Sequence, residues 1–168
     1  MTTMKTLLLA FSLLFLSCSQ LVEEEKLQRA KQSLAAGNYE EALMYYQMLY
    51  NEHPQSKYRP EALYAKASIH QNYRRDFRTA IELYRRLATE YPNDPNAPGA
   101  LFLVGFIFHN ELRMLDSAKA AYEEFLNRYP QSDMVSSAQF ELANLGKDPS
   151  ELLESKTRVA QQREEGSG

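Results

Sequence analysis

Between residues 39 and 145 the apolar side chains recur on two scales. Locally they fall at i, i+4 and i+7: Ala42, Tyr46 and Leu49, then Ala80, Tyr84 and Leu87, then Ala118, Tyr122 and Phe125. That spacing is one face of an α-helix. The same positions return every 38 residues along the chain, as do Pro54, Pro92 and Pro130 and the large apolar Tyr39, Phe77 and Leu115. Upstream, Pro60, Ala62, Leu63 and Tyr64 recur as Pro98, Ala100, Leu101 and Phe102, and once more as Ala138 and Phe140. A fixed period of this length marks an array of one supersecondary unit.

Each unit reads as a helical hairpin. The alanine of the second helix lets the two helices approach closely, and the Tyr and Leu or Phe fill the space beside it. Gly37-Asn38, Asp76 and Asp116 stand before the second helices, where short polar side chains cap exposed N–H groups. The three prolines stop those helices, because proline donates no hydrogen bond. The spacing predicts units at about 23–56, 61–94 and 99–132 within a repeat domain at 23–146, and a lone capping helix near 134–145. The segment 147–168 is polar, with Leu152, Leu153 and Val159 as its sizeable apolar groups, and is expected to fray.

A turn glycine, an aromatic two later, a small residue three after that, an aromatic four further on and a terminal proline resemble the tetratricopeptide repeat. The first unit carries them as Gly37, Tyr39, Ala42, Tyr46 and Pro54. The other two have Arg75 and Arg113 in place of the glycine. The resemblance implies an all-α fold, an α-solenoid of about three helical hairpins plus a C-terminal capping helix. The standard repeat has 34 residues, so the four extra are expected in the loop between units.

The chain opens differently. Met1–Lys5 has one positive charge, and Leu7–Leu16 is an apolar run. Ten residues of helix span roughly 15 Å, half a bilayer core, so residues 1–17 read as a signal peptide and not a membrane span. Cys18, the single cysteine, follows Ser17 at the end of this run. A small residue before such a cysteine resembles the bacterial lipobox, although Phe15 and Leu16 stand where that motif favours leucine and a small residue. The resemblance implies a diacylglycerol on Cys18 and a short tether at 18–22. Ordinary secretion with cleavage near Ser17 is the alternative. Ser19 after the cysteine resembles lipoproteins sent on to the outer membrane.

Composition narrows the chemistry. One cysteine excludes an intramolecular disulfide framework and a Cys-clustered zinc site. A formal charge of −3 argues against nucleic-acid binding. His53, His70 and His109 are scattered over different units and read as solvated or satisfied helix residues. No phosphate loop, nucleophile elbow or HExxH motif is present. The sequence therefore predicts no catalytic residue, no metal and no cofactor. Charge is uneven: residues 57–86 hold eight basic side chains (Lys57, Arg59, Lys66, Arg74, Arg75, Arg78, Arg85 and Arg86) against three acids. Such a band either steers an acidic partner or is a solvated helix surface.

Solenoids present their first helices to partners. By repeat position the candidate groove comprises Lys31, Lys66, Ile69, Tyr73, Leu103, Ile107 and Asn110, a mixture suited to a peptide with apolar anchors. Leu27 and Lys31 stand where carboxylate-clamp repeats want a basic residue and Asn. A lipidated chain of such repeats resembles the outer-membrane assembly lipoproteins of the BamD family. It is also similar to the YbgF-type repeat domain of the Tol-Pal system, through junctions such as Tyr129-Pro130-Gln131-Ser132. The expected function is a non-catalytic interaction scaffold at the outer membrane, lipid-anchored and facing the periplasm, in outer-membrane protein assembly. The alternatives are a coordinator of Tol-Pal or peptidoglycan machinery and a self-associating structural repeat.

Overall fold

A computed structural model describes residues 21–147. The segment read as a signal peptide, Cys18, most of the expected tether and the chain from 148 onward lie outside the described residues. Among the described residues the secondary structure is helical, with no strand. Helix α1 covers 21–35. It is followed by α2 (Tyr39–Glu52), α3 (Arg59–Ile69), α4 (Phe77–Glu90), α5 (Ala97–Phe106), α6 (Leu115–Arg128) and α7 (Val135–Ala143). The contacts group into two compact units that divide at Ala97 and Pro98.

The second helices obey the 38-residue period to the residue, since α2, α4 and α6 begin at 39, 77 and 115 and each has 14 residues. Their apolar faces are buried as the pattern predicts. Ala42, Ala80 and Ala118 are fully buried, as are Leu49, Leu87 and Phe125, with Tyr46, Tyr84 and Tyr122 at most 2% exposed. Burying one side chain of the Leu or Phe class stabilises a fold by roughly 1.5–3 kcal/mol. Each proline stands two residues past its helix, on the surface.

Unit 1 is built of two hairpins, α1 with α2 and α3 with α4, and α3 packs on both α2 and α4. The Tyr64 ring meets Tyr84 edge-on at 5.6 Å. In unit 2, α5 pairs with α6 through the equivalent rings, Phe102 and Tyr122 at 5.5 Å. Phe102 also meets Phe125 at 6.0 Å. Helix α7 then packs on α6.

The first helices depart from the expected register. Helix α3 runs on into a π-helical turn at His70–Arg74, and α5 into one at Ile107–Glu111. The left-handed residue then follows: Gly37 at φ 76, Arg75 at φ 55 and Arg113 at φ 56. At the end of α1 the Asn38 N–H bonds Ser33 O, five residues back; in the later hairpins Asp76 N–H reaches His70 O and Met114 N–H reaches Phe108 O, six back. All three ends close on a left-handed residue, so the extra residue of the later two goes with their π turns. The small buried residues show the slip: Ala30 precedes Ala42 by 12 positions, but Ala67 and Gly105 precede Ala80 and Ala118 by 13. One of the four residues beyond the standard repeat therefore sits in the π turn, and not in the loop between units.

The caps are corrected in the same way. Asp76 caps α4, accepting from Thr79 N–H at 3.1 Å. Asn38 holds the N-cap position of α2 without a side-chain bond. Asp116 is not a cap: Met114 occupies that position, and Asp116 lies in the first turn of α6, where the helix dipole favours an acid.

Candidate functional site

A cleft of about 590 Å³ opens in unit 1 between α1 and α3. Its wall on α3 is Glu61, Tyr64, Ala65, Ser68 and Ile69, residues three and four apart that share one helix face. Lys31 and Leu34 line the α1 side, with Lys57, Asp94, Pro95 and Asn96 from the loops. A second hollow of about 200 Å³ shares Leu34, Ser68 and Ile69 with it and extends to Asn72, Tyr73 and Tyr39. Together they form a trough following α3 from Glu61 to Tyr73, roughly 18 Å at 1.5 Å per residue. Five or six residues of extended peptide span that length.

The trough is polar at one end and aromatic at the other. Lys31 Nζ pairs with Glu61 at 2.7 Å across the cleft. Both partners are partly exposed, so the pair contributes little stability and its charges stay accessible. Tyr46 lies in the wall, and burial together with the nearby Glu61 carboxylate pushes its hydroxyl up to about 12. It therefore stays neutral. At the far end the Tyr73 ring stacks on Tyr39 at 4.1 Å and remains 53% exposed. Between the ends, Asn72 Nδ2 donates to Ser68 Oγ.

Only part of the groove read from the sequence belongs here. Lys31 and Tyr73 line the trough, and Ile69 is a 3%-exposed residue at its base. Lys66 does not line it. This lysine is buried, donates to Gln47 on α2 and lies 5.5 Å from the Tyr50 ring. Burial, then the Arg86 charge, hold its ammonium below the ordinary lysine range. Ile107 is fully buried in the core of unit 2. Leu103 is half-buried, and Asn110 is exposed and donates to Phe106 O. Leu27 is core too, at 2% exposed. Sequence reasoning missed Leu34, Tyr64, Ser68 and Asn72; the spacing 61, 64, 65, 68, 69, 72 was the available signal.

Much of the basic band makes contacts within the molecule, although Lys57, Arg74, Arg75, Arg78 and Arg86 remain exposed. Arg59, Arg86 and Lys66 surround the Tyr50 ring, with the guanidinium carbons of the two arginines at 4.1 and 4.8 Å. Tyr50 donates to Glu90 at 2.7 Å, and Arg86 pairs with the same carboxylate. Burial pushes the Glu90 carboxyl up, but Arg86 and Tyr50 outweigh it and hold it below the usual range. This knot ties α2 to α4. Arg74 pairs with Glu40, Arg75 covers the Phe77 ring and Lys57 lies over Tyr58.

Each histidine stands beside a carboxylate. His53 is 3.6 Å from Glu23, His70 is 3.3 Å from Asp76 and His109 is 3.2 Å from Glu141. Among the described residues no three or more His, Cys, Asp or Glu side chains gather as a metal site. Among the same residues, no helix is long and apolar enough to cross a membrane.

Paired helices with buried Ala and Tyr at a 38-residue period, left-handed hairpin turns and a peptide-length trough define a tetratricopeptide-like repeat protein. The chain matches the family model YfiO, described as outer membrane lipoprotein, over residues 20–147, and belongs to that family, the BamD-type lipoproteins. No curated protein matches it.

Proposed function

We propose that this chain is a non-catalytic adaptor of the cell envelope, tethered by lipid on Cys18 to the outer membrane and facing the periplasm. Its task in this reading is to hold an extended protein segment during outer-membrane protein assembly. The observation that carries the reading is the trough along α3, within a chain of an outer membrane lipoprotein family. A partly exposed ion pair at one end and a tyrosine shelf at the other suit a peptide with a polar end and an aromatic or aliphatic anchor. An enzyme would need converging acid, base or nucleophilic groups, whereas the trough offers one lysine–glutamate pair, an aspartate, a second lysine and hydroxyls. The acidic net charge does not suit nucleic acid.

Two measurements test this. Radiolabelled palmitate should enter the wild-type protein and not Cys18→Ala, which should also leave the membrane fraction. Purification from native membranes should bring down components of the β-barrel assembly machinery, with recovery reduced by Tyr64→Ala with Tyr73→Ala. Capture of cell-wall synthases or Tol-Pal components instead would move the protein to the coordinator reading.

A further inference from the structure

The first turns of α1 and the loop 53–58 form one end of unit 1. Tyr58 Oη donates to Glu24 at 2.9 Å, and His53 Nδ1 stands 3.6 Å from Glu23. Lys26 pairs with Glu52 and lies 3.0 Å from His53 Nε2. These bonds fix the loop beside the start of α1, and they engage the acids of this end. Glu25, the remaining carboxylate, pairs with Arg29. Glu24, Glu25 and Glu52 stay exposed, each paired with a neighbour, and beside them the end turns apolar and basic groups to solvent. Leu21 is 69% exposed and Val22 39%, and Lys57 is exposed beside the half-buried Tyr58. Exposed aliphatic groups next to a tyrosine and a lysine match the chemistry of a bilayer interface, where apolar bodies enter the headgroup layer and polar tips stay wet.

The chain itself supplies the occupant. Only three peptide units separate Cys18 from Leu21, so even a fully extended backbone spans about 11 Å. Acyl chains on Cys18 thus hold Leu21 within a headgroup-layer's distance of the membrane. We infer that this end of unit 1 rests on a phospholipid surface, with Leu21 and Val22 among the headgroups, Tyr58 at their level and Lys57 on their phosphates. The inference rests on lipid attachment at Cys18. It also orients the trough: the end near Lys57 lies at the membrane, and the Tyr73 shelf points away from it.

The test uses the full lipidated chain in vesicles of phosphatidylethanolamine and phosphatidylglycerol whose acyl chains carry bromine. A fluorophore is placed on Val22→Cys, Lys57→Cys or, at the opposite end of α1, Asn38→Cys. The acylated Cys18 thiol cannot react. Vesicle flotation of the wild type, lost in Cys18→Ala, reads the anchor separately. Quenching at 22 and 57 should exceed that at 38 several-fold. Flotation with equal quenching at all three sites overturns the membrane-facing end alone. Failure to float removes the anchor and the inference together.

Discussion

Gly105 faces the ring of Tyr122 so closely that a Cβ built on it would lie 2.6 Å from Cε1 and 2.7 Å from Cδ1. No side chain fits there without moving the ring, and the ring is fully buried among α5 and α6. In unit 1 the corresponding small residue of α3, Ala67, keeps its methyl group and is fully buried. The same hairpin is therefore packed a methyl group closer in unit 2.

Gly105→Ala should destabilise the protein by about 1–3 kcal/mol, the usual cost of overpacking a rigid core. Urea unfolding checks it, and Ala67→Gly should cost less, about 0.5–1 kcal/mol from helix flexibility plus a small void.

The equivalent tyrosines should answer differently to loss of their hydroxyls. Tyr84 Oη donates to the buried Gln71 at 3.1 Å, whereas Tyr122 Oη is buried with no hydrogen-bond partner. Tyr84→Phe leaves Gln71 unsatisfied and should cost about 1–2 kcal/mol, while Tyr122→Phe should be neutral or stabilising. Denaturant midpoints of the two variants, compared in one buffer, check the contrast.

The hairpin turns give opposite expectations for glycine. Arg113 holds φ 56 and Gly37 holds φ 76. A left-handed L-residue costs roughly 1–2 kcal/mol, against roughly 0.5–1 for the freedom glycine gains in the unfolded chain. Arg113→Gly should therefore raise stability by up to about 1 kcal/mol, and Gly37→Ala should lower it by about 1 kcal/mol. Thermal melts of both variants read the sign directly.

Acid should weaken unit 1 through His70. Burial holds its imidazole below the ordinary value of 6.5, although Asp76 opposes the shift. As pH falls through about 6.5 the unfolded chain takes the proton first, so stability declines from there down to the lowered folded value. His70→Gln should flatten the dependence of Tm on pH between 7 and 5.5. An unchanged slope would place the sensitivity elsewhere.

The second helices were legible because nothing intervenes between their caps and their prolines, so a period of 38 runs through Ala42, Tyr46 and Pro54 without a slip. The first helices of the later hairpins kept the period, Pro60–Tyr64 recurring as Pro98–Phe102, but their ends were not legible, because a π turn absorbs a residue before Arg75 and Arg113. That shift is visible only as the change from 12 to 13 between Ala30–Ala42 and Ala67–Ala80. Lys66 was placed in the groove by its repeat position, but on α3 it points at Tyr50 and Gln47. The cleft itself arises where α1 and α3 meet, and such tertiary juxtaposition leaves only a faint spacing signal at Glu61, Tyr64, Ser68 and Asn72.

The central claim is that the trough along α3 holds a partner segment. A photo-crosslinking amino acid placed in living cells at Tyr64 or Tyr73, with the exposed Met44 on α2 as control, tests it most directly. Discrete adducts of one or a few proteins from positions 64 and 73, absent from 44, are predicted. No adduct at either trough position, or the same diffuse pattern from all three, would contradict the account.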